Sequence, residues 1–419
     1  MAGPVNGKAL DKYLRSRAIS APWTITGVSR RAFKALLVIP ALAEQEQLPL
    51  TLASLARNAG FLLGQTLLLV VVNNHATAAV TAKEDNQQLL CWLQSCRCPG
   101  GQLAWVDAAS TGLELPAGEG VGLARKIGFD LGLEYLDWDN DPLLISLDAD
   151  TLVDENYLSA VFAHFARSKA SGAVIPFRHQ AAATPERERA IRDYELYLRS
   201  YLFGLQVAGS PYAYHSIGSA LCCRAAAYVA AGGMNRRLAA EDFYFLQRLA
   251  KIDRVDFVAG TVVRPAPRYS ERVPFGTGRT LREQVEDGRR GYRFIGKEGF
   301  DLLRRWLALA RENIDAPAQV ICLQAEKLSA GLAGYLAEVD FVTVWAKLQR
   351  NHRPGKQRLR AFQGWFDALR TRQLLTRVDG TASAEPVEVV AELLAWGGCA
   401  APETLAAQLR LLERLQGVD

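Results

Sequence analysis

The chain has no apolar run long enough for a membrane-spanning helix. The longest, such as Phe61 to Val72, fall short of the roughly 20 residues that a bilayer demands. A helical span is therefore excluded, while peripheral contact with a membrane surface stays open. Paired cysteine motifs are missing too. Cys91, Cys96, Cys98, Cys222, Cys223, Cys322 and Cys399 form no repeated C-x-x-C, their number is odd, and no secretory leader precedes them, so a reduced, cytoplasmic setting is expected. Cys96-Arg97-Cys98 is too tight for a zinc knuckle. Nor is there a strong charge of one sign: the net is +5 over 419 residues, and without a clustered basic face this argues against a nucleic-acid partner. Internal repeats and low-complexity segments are absent.

What remains is a globular composition, 49% hydrophobic and 22% charged, which argues against long disorder. A length of 419 residues exceeds what one hydrophobic core usually serves and predicts two or three structural units. Residues 1–33 carry scattered basic side chains without a clear period and are expected to form an extension with a short helix. From Ala35 the run ALLVIP stops at Pro40, and Leu48, Leu52, Leu55 and Ala59 then recur at helical spacing. TLLLVVVNN, residues 66–74, reads as a strand covered on both faces. The order strand, helix, strand predicts an α/β domain with a mostly parallel sheet flanked by helices. GEGVGLARKIGFDLG from Gly118 is helical in spacing, and LLISL from Leu143 is a further strand. Asp154 is placed to cap the helix that follows. GAVIPF (172–177) and RVDFVAGTVV (254–263) read as strands, and residues 186–205 and the stretch from Leu238 as helices. Helical patterns dominate beyond about Thr280, so the expected division is an α/β domain over 34–280 and a helical region over 281–419.

In an open parallel sheet, ligands bind outside the carboxyl ends of the strands, so polar residues that follow several strands belong together. Four places qualify: Pro40 to Glu44, Asn73 to His75, Asp148 to Asp150, and the Glu241-Asp242 pair that opens a later helix. Alternation puts Asp148 and Asp150 on one side of the chain, where they can hold a hard cation that bridges phosphate oxygens. The plainer reading makes one of them a helix cap and the other a turn residue. Glu241 and Asp242 can likewise be favourable acidic charge in a first helical turn.

VIPALAEQEQL, LLVVVNN, GEGVGLARKIG, ISLDADT and AAEDFYFLQRLA, in that order, resemble the family 2 glycosyltransferases with the GT-A fold. The resemblance covers roughly residues 34–280 and implies a nucleotide-diphosphate sugar donor, Mn2+ or Mg2+, and a hydroxyl acceptor. It assigns Pro40, Ala41 and Glu44 to the loop that holds the nucleoside. Asn73 or Asn74 stands where the family commonly has an aspartate that reads the base, which leaves the base open because an amide both donates and accepts. Gly122, Arg125 and Lys126 fall near the donor. Asp148 and Asp150 match the metal-binding motif, with Asp150 as the direct ligand, and Asp242 matches the catalytic base beside Glu241. Gly218 and Ser219 match the acceptor segment, and His215 ahead of them is either a further contact to sugar or metal or a packed, hydrogen-bonded histidine. Arg268, Arg272 and Arg279 lie in a loop with two readings, one that closes on the diphosphate, since arginine forks suit phosphate oxygens, and one of a solvated surface loop. Family members often take a histidine as a third metal ligand after the acidic pair, but the only histidine beyond Asp242 is His352. The Q-x-x-R-W motif of processive synthases is absent, so transfer of a single sugar, with inversion as in most of the family, is the reaction that the resemblance implies. Two alternatives stay open: a non-catalytic module of the same fold that binds carbohydrate or a protein partner, and a sugar-phosphate nucleotidyltransferase. The second is disfavoured because PALAEQEQ lacks a glycine-rich, basic phosphate loop.

Overall fold

The computed structural model describes residues 7–19, 21–98, 100–268, 282, 284–286, 291–378 and 385–418. The chain divides into two compact units, one comprising Met1–Ile191, Ser216–Asp287 and Gly417–Asp419, the other Arg192–His215 and Gly288–Gln416.

The first unit is mixed α/β. Its strands are β1 (Ile25–Thr26), β2 (Ala35–Ala41), β3 (Thr66–Asn73), β4 (Gln102–Ala108), β5 (Leu143–Ser146), β6 (Thr151–Val153), β7 (Gly172–Val174), β8 (Leu221–Arg224), β9 (Val255–Phe257) and β10 (Val263–Pro265). Eight of them form one sheet in the order β1-β4-β3-β2-β5-β8-β7-β9, and β10 pairs with β6 in a separate ladder. β4, β3, β2 and β5 run parallel, as do β7 and β9, whereas β8 runs antiparallel between β5 and β7. Every residue of β2 and β3 is buried, as unbroken Leu, Val and Ile runs require when helices cover both faces. The helix Val121–Gly132 lies against these two strands through its glycines. A Cβ on Gly128 would meet Val38 Cγ1 at 2.5 Å and Val71 Cγ2 at 3.0 Å.

The N-terminal helix Gly7–Ser16 is fastened to this unit by a buried carboxylate. Asp130 Oδ1 accepts from the hydroxyls of Tyr13 and Tyr228, each at 2.7 Å, while its Oδ2 accepts from the Ile19 amide at 2.8 Å and pairs with Lys126 Nζ at 2.7 Å. Burial and the Asp130 charge both push the Tyr13 hydroxyl pKa up, so this tyrosine stays a donor.

One local expectation changes. Asp154 does not cap the next helix, which spans Tyr157–Arg167 with Asn156 at its N-cap. Its carboxylate instead accepts from the Val262 amide at 2.9 Å and pairs with Arg264, tying the β6 end to β10. A backbone amide and a charged guanidinium together outweigh a single cap bond.

The described secondary-structure elements of the second unit are all helices, from the later part of Pro185–Val207 to Leu405–Leu415. Aromatic rings fill its core: Trp306 lies 5.6, 5.7 and 5.9 Å, centroid to centroid, from Phe341, Phe362 and Phe366. In the basic stretch 349–360, Arg358 is not free, because it pairs with Asp315 at 2.8 Å. Among the described residues no helix is long and apolar enough to cross a membrane.

Candidate functional site

At the carboxyl end of β2, Pro40 and Ala41 complete the strand and the chain turns through Ala43, whose φ of 52° is left-handed. That costs an alanine on the order of 1 kcal/mol, a strain that persists because the Ala43 amide is held by Asn86 Oδ1 at 2.9 Å. The turn aims the Glu44 carboxylate inward, where only 6% of its side chain is exposed.

Asp148, Ala149 and Asp150 connect β5 to β6. The β6–β10 ladder, with Pro265 opposite Thr151, carries the chain back past this turn, and the Ala266 amide donates to the Asp150 carbonyl at 3.2 Å. Arg268, two residues further, then reaches both acids. Its Nη2 lies 2.7 Å from Asp150 Oδ2 and 2.7 Å from each carboxylate oxygen of Glu44, with Nε 3.1 Å from Asp150 Oδ2. Burial raises the Asp150 pKa, reinforced by the charges of Asp148 and Glu44 and opposed by Arg268. The arginine is itself held more firmly charged, because Asp150 and Glu44 outweigh the cost of its burial.

The second group centres on Arg125, whose side chain is 3% exposed. Its guanidinium donates to Asp148 Oδ1 and to Glu241 Oε1, and its Nε lies 3.0 Å from Ser146 Oγ. Burial opposes this charge, yet Asp148, Glu241 and Asp242 together shift its pKa up. Two glycines make the arrangement sterically feasible. A Cβ on Gly218 would strike the Arg125 guanidinium, and one on Gly122 would meet the carbonyl oxygens of Arg237 and Asn235 at 2.6 and 2.7 Å. Gly218 thus leaves room for the Arg125 guanidinium, and Gly122 for the Asn235–Arg237 backbone and Glu241.

Glu241 and Asp242 begin the helix Glu241–Ile252, after Ala240 in the left-handed region at φ 58°. Asn235 Nδ2 pins the turn by donating to the Glu241 carbonyl at 3.0 Å. Asp242 Oδ1 accepts from the Phe243 amide at 2.7 Å. Asp242 as a residue is half-buried, and burial of its carboxyl group together with the Glu241 charge pushes its pKa up to about 7, against the pull of Arg125. A carboxylate tuned toward neutrality is suited to accepting a proton.

Other expected residues face elsewhere. Asn73 is buried and its amide donates to the carbonyls of Ala41 and Val71, both at 3.0 Å, which ties the ends of β2 and β3 together. Asn74 donates to the carbonyls of His75 and Ala109 at 3.2 Å and accepts from Asn86 Nδ2 at 2.7 Å. Lys126 points away from Arg125 toward Asp130. Ser219 is buried, and its Oγ has no hydrogen-bond partner among protein atoms. His215 belongs to the second unit, where its Nε2 lies 3.2 Å from Gln416 Oε1 and burial with Arg199 nearby depresses its pKa to about 3. Arg272 and Arg279 lie outside the described residues. Asp107, at the end of β4, was not singled out from sequence; its Oδ1 holds the turn through the amides of Ala109 and Ser110 at 3.0 and 2.9 Å. The link that sequence spacing could not reveal is Glu44–Arg268–Asp150, whose members are 224 and 118 positions apart.

Among the described residues no group of three or more His, Cys, Asp or Glu is arranged to hold a metal ion. The carboxylate oxygens of Asp150 and Glu44 nevertheless have the right chemistry for a hard cation that takes one or two protein carboxylates and completes its shell with substrate phosphate. The site fits such an ion on that condition.

No family model matches the chain, and no curated protein matches it. Among solved structures it is similar to S. aureus TarS 1-349 in complex with UDP-GlcNAc, at TM-score 0.39 and 12% identity over 92% of this chain and 89% of that one. It is also similar to the mannosyltransferase PcManGT from Pyrobaculum calidifontis in complex with GDP-Man and Mn2+, at TM-score 0.38 and 14% identity over 85% and 91% of the two chains. A third similar structure, GalNAc-T7 with UDP, GalNAc and Mn2+, gives TM-score 0.35 and 13% identity over 57% of this chain and 44% of that one. At these scores the likeness assigns neither ligand nor activity to the present chain.

Proposed function

We propose that the chain is a glycosyltransferase of the GT-A type, which moves one sugar from a nucleotide-diphosphate donor to a hydroxyl acceptor with inversion. The observation that carries this reading is the convergence of acids and arginines at the carboxyl ends of the central strands. Glu44 follows β2, Asp148 and Asp150 follow β5, and Arg125 joins Asp148 to the Glu241-Asp242 helix start. That edge is where open parallel sheets bind nucleotides.

In this reading Asp150 and Glu44 would hold Mn2+ or Mg2+, which when bound supplies positive charge to the leaving diphosphate. Arg268 adds a guanidinium beside the same oxygens. Asp242 Oδ takes the acceptor hydroxyl's proton as the bond to the anomeric carbon forms, and its raised pKa makes it a competent base near neutrality. Arg125 keeps Glu241 ionised and fixed, so that the proton goes to Asp242 and not to its neighbour. The seven cysteines are all unpaired, which supports a reducing, cytoplasmic setting.

The test is release of nucleoside diphosphate from a panel of UDP-, GDP-, dTDP- and CDP-sugars. Wild-type turnover should rise with pH through about 7, as the Asp242 carboxyl loses its proton. Asp242→Asn should bind the same donor and lose turnover. Undiminished turnover in that variant would remove Asp242 from the chemistry. A second reading, a non-catalytic module of the same fold, draws support from Asn73 and Asn74, which stand where the family commonly has an aspartate and whose amide nitrogens donate to backbone carbonyls. It predicts donor binding without turnover in the wild-type protein.

A further inference from the structure

Glu44 and Asp150 arrive from the ends of two neighbouring strands, and their side chains are only 6% and 20% exposed. Two carboxylates so close and so little hydrated need a cation between them to stay ionised. Among the described residues Arg268 lies between them. One of its nitrogens, Nη2, stands 2.7 Å from both acids, and its side chain is 34% exposed, more than either carboxylate it bridges. Its position is also built into the fold. The β6–β10 ladder fixes Pro265 opposite Thr151, and Gln180 Nε2 clamps the same turn by donating to the carbonyls of Asp150 and Arg264 at 3.0 and 2.8 Å. Two residues beyond Ala266, whose amide is tied to Asp150, the arginine can swing about its own side-chain torsions while its backbone stays anchored.

Resting on the donor-site reading above, we infer that Arg268 and a divalent cation are alternative counter-ions for the Glu44–Asp150 pair. Without metal, the arginine offsets one of the two negative charges. When metal and nucleotide enter together, the ion takes the carboxylate oxygens and the released guanidinium turns to the incoming diphosphate. The exchange puts two positive charges where one stood: the divalent ion matches both carboxylates, and the arginine's single charge goes to the diphosphate. The consequence is a built-in preference. The bare ion competes against an internal cation and binds weakly, whereas the metal–nucleotide complex gives the displaced arginine a new anionic partner.

Two titrations separate this inference from the reading beneath it. The first follows free Mn2+ by electron paramagnetic resonance as protein is added, with no nucleotide present. Arg268→Gln should bind the bare ion at least tenfold more tightly than wild type, and Asp150→Asn introduced into that variant should abolish the gain. Arg268→Lys, whose ammonium meets one carboxylate at a time, should fall between and serves if the glutamine variant does not fold. The second adds UDP, GDP, dTDP or CDP at saturating Mn2+, where Arg268→Gln should bind the preferred nucleotide at least tenfold more weakly than wild type. If both Arg268 variants bind bare Mn2+ with wild-type affinity while wild type still binds a metal–nucleotide, the exchange is wrong and the donor site stands. If no nucleotide binds the wild-type protein at all, the donor reading fails instead.

Discussion

Replacing Arg125 with methionine keeps most of the buried volume and removes the charge that faces Asp148 and Glu241. The two acids differ in what they lose. Asp148 is 35% exposed, so water can replace much of its partner, whereas Glu241 is 5% exposed and would be left as a buried, uncompensated carboxylate. Removing one partner of a buried pair costs about 3–5 kcal/mol, and with only one of the two acids fully buried the lower end, about 3 kcal/mol, is expected. The penalty must depend on pH. In wild type, burial already raises the Glu241 pKa against the pull of Arg125, and without the arginine it rises further. An acid whose folded-state pKa lies above its unfolded value destabilises the fold once it must ionise. The difference between variant and wild type should therefore be small below pH about 4, the unfolded carboxylate range, and grow as pH rises through the folded-state value. Urea denaturation at pH 5 and pH 8 reads this directly, since urea does not screen ion pairs as guanidinium does. A loss under about 1 kcal/mol at pH 8, or one equal at both pH values, would refute the idea that Arg125 holds Glu241 charged.

Other substitutions test the packing around the site. Asp130→Asn removes the charge facing Lys126 and turns one of its acceptor oxygens into a donor among groups that already donate, so a loss of about 3 kcal/mol or more in melts, with earlier proteolysis near Ile19, is expected; unchanged melting would contradict it. Gly128→Ala pushes a methyl group into Val38 and Val71 and should cost about 1–3 kcal/mol, measured by urea unfolding, with no loss meaning that the helix can back away from the sheet. Ala240→Val places a β-branched residue at a φ of 58° and should destabilise by at least about 1 kcal/mol, while Ala240→Gly should be tolerated. If valine and glycine melt alike there, the left-handed turn ahead of Glu241 is not strained.

Sequence pattern revealed the central strands because burial on both faces leaves an unbroken signal. ALLVIP, TLLLVVVNN and LLISL all became parallel strands of one sheet. β4 and β8 went unread for different reasons. QLAWVDA mixes polar and apolar residues because Gln102, Trp105 and Asp107 are only partly buried, and LCCR is short and lies inside a small-residue segment that reads equally well as loop. RVDFVAGTVV split into β9 and β10, which join different sheets, because Gly260 at φ 79° turns the chain between them. In the site, residues adjacent in sequence separated in space. Arg125 turned toward the acids and Lys126 toward Asp130, since neighbours on a helix point about 100° apart. The Arg268 bridge was invisible because nothing local specifies it; it follows from the β6–β10 register.

The most direct test of the account is calorimetric titration of the wild-type protein with UDP, GDP, dTDP and CDP, each with and without Mn2+ or Mg2+, repeated on Asp150→Ala. The account predicts that one nucleotide binds, that it does so only with the cation, and that Asp150→Ala abolishes the cation-dependent part. Binding of none of the four, or binding that Asp150→Ala leaves untouched, would contradict a nucleotide-sugar site at the carboxyl ends of β2 and β5.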